Sequence, residues 1–393
     1  MERKLIQLSD VITDIAAGPF GSNLKVSCFV NDGFPIIDGA NLKSFKVTDN
    51  ITKFVTEEKA RSLHRSIAKR GDIVVTISGT LGQIAYIPEG SKYEEYLCSQ
   101  RQFRVTFDTT KVYVPYLAFY FHTYEGQHKI LSFANQVGVP ALSQPLKNFR
   151  RITIQLPDID TQKKIAIFVE LINEKIEQNE SINNNLEQQA QAIYQQMFVD
   201  NPSSEWKKGT LSDIADITMG QSPSGSSYNE ESNGTIFFQG RAEFGFRFPT
   251  VRLFTTEPKR MACANDTLMS VRAPVGDLNV AHADCCIGRG LAAIHSKTNH
   301  QSFVLYTMFS LKKQLDVFNG EGTVFGSINR NSLNEIPILI PSDEKLDEFE
   351  RIVAPMDTAI RNNCDEICRL KQIRDSLLPK LMSGELDVSD IDF

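Results

Sequence analysis

"KIAIFVELINEKIEQNESINNNLEQQAQAIYQQMF" (residues 164–198) and "EFERIVAPMDTAIRNNCDEICRLKQIRDSLLPKLM" (residues 348–382) align without a gap under one seven-residue pattern. Steps of four and three from Ile165 reach Val169, Ile172, Ile176, Asn179, Asn183, Leu186, Ala190, Ile193 and Met197. The same steps from Phe349 reach Val353, Met356, Ile360, Asn363, Ile367, Leu370, Arg374, Leu377 and Leu381. An apolar period of 3.5 is the mark of a helix seam that needs a partner. Each run is well beyond the mean globular helix, and at 1.5 Å per residue it spans roughly 50 Å. Antiparallel pairing of the two buries both seams, with Ile172, Ile176, Asn179, Ile360, Asn363 and Leu370 assigned to helix pairing. Asn179 and Asn363 hold matching positions, and an asparagine in a seam penalises wrong registers. Asp160-Thr161 offers an N-cap to the first helix, and Gly384 closes the second. The plainer alternative is two amphipathic helices, each lying on its own domain.

Ahead of each helix the chain is also written twice. "LSDVITDIAAGPFGSNL" is answered by "LSDIADITMGQSPSGSS", "GFPIIDGANL" (33–42) by "GTIFFQGRAE" (234–243), and "FRRITIQLP" (149–157) by "LNEIPILIP" (333–341). "GDIVVTISGTLGQIAYI" (71–87) matches "NDTLMSVRAPVGDLNVA" (265–281) and sets Gly82 on Gly276. Segments keep their order while the loops between them change length, which is an internal duplication. Short β-branched runs such as Ile73–Ile77, Ile84–Ile87 and Phe103–Phe107 alternate with helical patches, "VPYLAFYFHTYEG" and "FVLYTMFSLKKQL" among them. The fold class expected is α+β: two mixed α/β domains separated by two long helices in an antiparallel coiled coil, related by a pseudo-twofold. The divisions expected are 1–157, the helix 158–200, 201–341, and a closing helix with tail over 342–393.

Composition excludes several classes. At 393 residues, with 41% hydrophobic and 23% charged, the chain reads as a multi-domain globular protein. No apolar run approaches a membrane span and "MERKLIQLSD" lacks the apolar core of a signal peptide, so a cytoplasmic location is expected. The seven cysteines form no C-x-x-C pair, so reduced thiols and no metal are expected. A net charge of −6 rules out an overall basic coat and leaves room for a local patch, such as the lysines and arginines of residues 43–70. No phosphate-binding G-x-x-x-x-G-K-[ST], H-E-x-x-H or strand-borne G-x-G-x-x-G occurs, nor the N/D-P-P-Y/F of an amino-methyltransferase, nor the usual nuclease triad. No catalytic residue is assigned.

Two divergent domains, each followed by a matching long helix, resemble the specificity subunit of type I restriction-modification systems over essentially the whole chain. The most specific stretches are "FFQGRAEFG" (237–245), "DTLMSVRAPVGDLNVA" (266–281), "CIGRGLAAI" (286–294) and "RDSLLPKLMSGELDVSD" (374–390). "LEQQAQAIYQQMF" (186–198) resembles the family's central conserved region. The resemblance implies a non-catalytic chain whose two target-recognition domains each read one half of a bipartite double-stranded DNA site. It implies helices that set the spacing and dock two modification (methyltransferase) subunits, with restriction subunits as further partners and no membrane. S-adenosylmethionine, ATP and Mg2+ are then expected on the partners, with no cofactor in this chain.

Base readout needs forked donors and amides on groove-facing loops. In the second domain Gln239, Arg241, Arg272 and Arg289 fit, each inside a family-like stretch beside small residues; a salt bridge from Arg272 to Asp266 or Asp277 is the plainer alternative. In the first domain Ser78, Thr80, Arg101, Gln102 and Arg104 are the counterparts, with Lys43 and Lys46 as phosphate contacts. Asp38, where the repeat has Gln239, suits a cytosine amino group or caps a turn. Arg150-Arg151 suits either the duplex or a plain surface. "SVRAPVG" keeps only the last glycine of "TISGTLG", so that glycine reads as turn geometry and not as a phosphate cradle. The rival to DNA reading is a duplicated coiled-coil interaction scaffold without DNA contact. A third reading is a nuclease or methyltransferase with an unrecognised site.

Overall fold

The computed structural model describes residues 3–135, 139–320 and 326–388; Ser389 and Asp390, at the end of the quoted C-terminal stretch, lie outside them. The chain forms two compact units, Met1–Lys175 with Leu370–Phe393, and Ile176–Arg369. The division runs through both long helices, Ile159–Tyr194 and Asp343–Ser383, instead of setting the helices apart from the domains. Packing explains this. Ile165, Ala166 and Val169 belong to the core of the first unit together with Leu378, Leu381 and Met382. Ala190, Tyr194 and Phe198 belong to the core of the second with Phe349 and Val353.

In the first unit an antiparallel sheet has the order Ile12–Ala17, Gln102–Phe107, Ile73–Thr76, Ile84–Tyr86. A second sheet has the order Phe29–Val30, Phe54–Val55, Phe34–Ile37, Glu95–Cys98, Ile67–Lys69, with Phe34–Ile37 and Glu95–Cys98 parallel. The second unit repeats both orders, as Ala215–Met219, Leu291–Ser296, Thr267–Ser270, Leu278–Val280, and as Tyr228–Asn229, Leu253–Thr255, Thr235–Phe238, Cys285–Ile287, Met261–Ala262. Strand Ile73–Thr76 is apolar throughout, apart from its last residue, because both of its faces are covered. Ile73 and Val75 join the large core under the helices, while Val74 packs with Ile37, Ala68 and Tyr96 toward the other sheet. Side chains that alternate between two cores need no polar face.

Helix pairing is antiparallel within each unit. In the first, Arg374 donates to Asn173 Oδ1 at 2.9 Å. In the second, Asn179 donates to Glu366 at 2.8 Å, and Asn363 donates to Asn183 at 2.9 Å. Asn179 and Asn363 therefore do not face each other: matching positions of an antiparallel repeat are related by the repeat and not opposed. Ile176 and Ile360 are buried, whereas Ile172 and Leu370 are only half-buried. The buried place beside Ile172 goes to Asn173, whose partner Arg374 also lies over the Phe45 ring at 5.4 Å. The helix is capped by Asp158 and not by Asp160-Thr161: its carboxylate accepts from the Thr161 amide at 2.9 Å and the Thr161 hydroxyl at 2.7 Å. Gly384, at φ +82, ends the second helix with its amide on Lys380 O at 3.1 Å.

His122, the last residue of helix Val114–His122, is held as a neutral ring. Its Nε2 lies 2.8 Å from the Ile84 carbonyl, and the Phe45 ring lies 4.4 Å away. Burial holds its pKa below the usual 6.5, helped by the charge of Arg374 and opposed by the Ile84 carbonyl. The unfolded chain takes up this proton first, so the contribution is present above about pH 6.5 and is lost as pH falls toward the folded value. Stability of the first unit should fall between pH 7 and 5 by at most about 1.4 kcal/mol per pH unit on this account. Urea titrations of His122→Phe should show a flatter profile; an unchanged slope would remove His122 from the acid response.

Candidate nucleic-acid interface

Hydrogen bonds at the strand ends put the two domains in register residue by residue. In the first, Ile77 donates to Arg101 O at 2.7 Å, Gly18 to Gln102 O at 2.8 Å, and Gly79 to Pro140 O at 3.0 Å. In the second, Val271 donates to Gly290 O at 2.9 Å, Gly220 to Leu291 O at 2.9 Å, and Ala273 to Gly326 O at 3.0 Å. Ser78 thus stands where the repeat has Arg272, Gln100 where it has Arg289, and Phe20 where it has Ser222. The parallel pairs Ile37 with Cys98 and Phe238 with Ile287 likewise set Asp38 on Gln239. Gly82 and Gly276 turn at φ +86 and +84, a region that disfavours residues with a Cβ. Backbone geometry is shared, and the side chains at the tips are exchanged.

In the first domain the exposed Arg101 separates two clefts of about 660 and 680 Å3. The larger one gathers Lys43, Ser78, Thr80 and Gln102 with Asp38 and Gln83. Lys43 and Thr80 are exposed there, and Ser78 is half-buried. Gln102 is 1% exposed and its side-chain oxygen takes the Ser99 hydroxyl, so it supports the cleft floor. Asp38 caps its turn through the Ala40 amide at 2.8 Å and pairs with Lys53 at 2.6 Å. Burial pushes its carboxyl up, but Lys53 and the Ala40 amide outweigh this and hold it below its usual value.

Two first-domain candidates are placed elsewhere. Arg104 lies on the strand between two others, buried, with its guanidinium on Asp14 at 2.6 Å, Arg65 O at 3.1 Å and Thr106 at 3.3 Å. It braces the sheet and is not available to a duplex. Lys46 pairs its backbone with Tyr86, at the end of strand Ile84–Tyr86 away from the Ser78–Gly82 loop. Arg150 is half-buried and Arg151 exposed at the end of helix Pro145–Arg150.

In the second domain Gln239, Arg272 and Arg289 are exposed on neighbouring tips. Gly288 lets the Gln239 backbone pass close by, since a Cβ there would lie 2.7 Å from Gln239 O. Arg289 approaches the Ser222 hydroxyl through its amide at 3.2 Å and Nε at 3.5 Å. The salt bridge weighed for Arg272 is made by Arg241 instead, to Asp277 at 2.7 Å, and Lys312 adds a second cation at 3.3 Å. The Arg272 guanidinium has no protein partner among the described residues. Sequence reading passed over Phe20, Gln100 and Gln83, which line the first-domain clefts. The signal was there in the repeat, where Gln83 answers Asp277 and Gln100 answers Arg289.

Forked guanidiniums and amides on small-residue loops are equipped to hydrogen-bond base edges and phosphates. Among the described residues no group of three His, Cys, Asp or Glu is placed to hold a metal, and no helix is long and apolar enough to cross a membrane.

Residues 22–188 and 203–372 each match the family model described as type I restriction modification DNA specificity domain. The chain is 27% identical over 379 residues to the putative type I restriction enzyme MjaX specificity subunit of Methanocaldococcus jannaschii, across 91% of this chain and 88% of that one. It is 24% identical over 317 residues to the type I restriction enzyme HindI specificity subunit of Haemophilus influenzae, across 60% and 69% of the two. The crystal structure of the type I restriction-modification S subunit from M. genitalium shares the fold, with a TM-score of 0.63 at 14% identity over 97% of this chain and 96% of that one.

Proposed function

The chain belongs to the type I restriction-modification DNA specificity family, and we propose that it reads a bipartite, asymmetric DNA site, one half with each recognition domain. One observation carries this: the same hydrogen-bonded tip scaffold occurs twice with the residues at its tips exchanged, Ser78 for Arg272, Gln100 for Arg289 and Asp38 for Gln239. Two readers of different bases need a common platform and different donors. The long helices set the spacing and dock two adenine-N6 methyltransferase subunits, with restriction subunits joining the complex. S-adenosylmethionine, ATP and Mg2+ act on those partners, and this chain by itself catalyses nothing. Partners that share the phosphate contacts relieve a chain of net charge −6 of supplying all of the affinity.

The test is co-expression with the modification subunits and genome-wide mapping of N6-methyladenine. Arg272→Ala should weaken specific binding by about 1–3 kcal/mol and relax one base position in one half of the site. Arg101→Ala should act on the other half alone. Variants that leave the methylation pattern intact, or that blur both halves together, would sink the modular reading.

A further inference from the structure

We propose that Phe20 is a wedge that inserts between adjacent base pairs in the half-site read by the first domain. This rests on the DNA-reading function and adds to it a distortion of the duplex, made by one domain only.

Exposure alone argues little, since single apolar residues on a surface are ordinary. What singles out Phe20 is how it is held and what surrounds it. Its side chain is 83% exposed, yet the turn beneath it is pinned on both sides. Pro19 before it and Leu24 after it are buried, and the Asn23 amide closes the turn on Phe20 O at 2.8 Å. Gly18 runs so close to the neighbouring strand end that a Cβ would fall 1.8 Å from Ser99 O. The Gln100 side-chain oxygen lies over Gly21, 2.6 Å from where a Cβ would stand. An aromatic ring is therefore carried outward on a turn closed by its own hydrogen bond and tied to the neighbouring strand end, which lowers the entropy lost on insertion.

The surroundings fit a polyanion. Phe20 stands on the rim of the 660 Å3 cleft that also contains His64, Arg65 and Arg101, and among the described residues no carboxylate lines that cleft. Neither guanidinium there makes a side-chain hydrogen bond or ion pair among the described residues; Arg65 acts only at longer range, on the Asp14 carboxylate that Arg104 already holds. An apolar side chain flanked by cations is the arrangement that unstacks a base step while the flanking phosphates are held. At the matching position the second domain has Ser222, whose hydroxyl accepts from the Arg289 amide. A step loosened in one half-site also favours a base leaving the stack for a partner's active site.

The experiment uses the assembled complex of this chain with its modification subunits, and duplexes carrying 2-aminopurine at successive positions of either half-site. The native complex should raise the fluorescence at one step of the first-domain half. Phe20→Ala should abolish that rise and weaken binding about tenfold, Phe20→Trp should keep it, and the second-domain half should be unaffected in all three. Binding without any Phe20-dependent rise overturns the wedge and leaves the DNA-reading function standing. No binding by the native complex overturns both. If Phe20→Ala instead separates the modification subunits in gel filtration, the ring is a protein contact and the wedge is wrong.

Discussion

Phe349→Ala is expected to destabilise the second unit by about 3–5 kcal/mol, the usual loss for removing a fully buried ring. Phe349 lies near the start of the second long helix and is 0% exposed. Its ring meets Phe198 at 5.2 Å, Tyr194 at 5.9 Å and Tyr306 at 6.0 Å, so one side chain joins both helices to the domain core. Truncation leaves a cavity whose walls are themselves rings that cannot collapse into it. Phe349→Leu fills most of the space and should lose far less. Denaturant titration of the full chain, following the second-unit transition, reads the difference. A loss below about 1 kcal/mol would mean that the helix does not depend on this cluster for its seating.

Arg247→Ala should cost the same unit about 3 kcal/mol, through charge and not through volume. The Arg247 side chain is 3% exposed and donates to Glu187 on the first long helix and Asp357 on the second, both at 2.9 Å, and to the Tyr306 hydroxyl at 3.3 Å. Both carboxylates keep about a fifth of their surface in water, 20% and 22%, which reduces the penalty below that of a dry pair. Removing the cation leaves two like charges facing each other. Burial already pushes the Glu187 carboxyl above its usual range, with Arg247 opposing. Without Arg247 the folded state prefers neutral Glu187 still more, so the deficit should be largest above that raised pKa and shrink as pH falls through it. Stability curves of variant and native chain that run parallel over this range would contradict the charge argument. Arg247→Ala with Glu187→Gln and Asp357→Asn should recover much of the loss, because no ion is left unpaired.

Phe349 and Arg247 do not stand out equally in the sequence. Phe349 starts the seven-residue walk and so belongs to a seam on sight. Arg247 sits in a loop, and nothing nearby in the chain shows that it reaches two helices. The first unit solves the same problem from the other side: there the loop supplies Phe45 and the helix supplies Arg374. Such an exchange leaves no linear trace, because the repeat matches backbone positions and not the direction from which a charge arrives.

The candidate interface divides along the same line. Duplication, long helices, strand-rich domains and the small-residue loops were all legible, because periodicity and self-similarity are properties of the chain itself. Which arginine on those loops is free was not. Arg104 and Arg101 are close neighbours in sequence, yet one is locked on Asp14 in the sheet and the other stands between two clefts. Arg241 and Arg272 both stand beside small residues in the sequence, yet only Arg241 reaches Asp277. A guanidinium's availability depends on carboxylates brought beside it by strand register from distant parts of the chain. Only the folded structure, by settling that register, decides which cations face inward and which remain for a ligand.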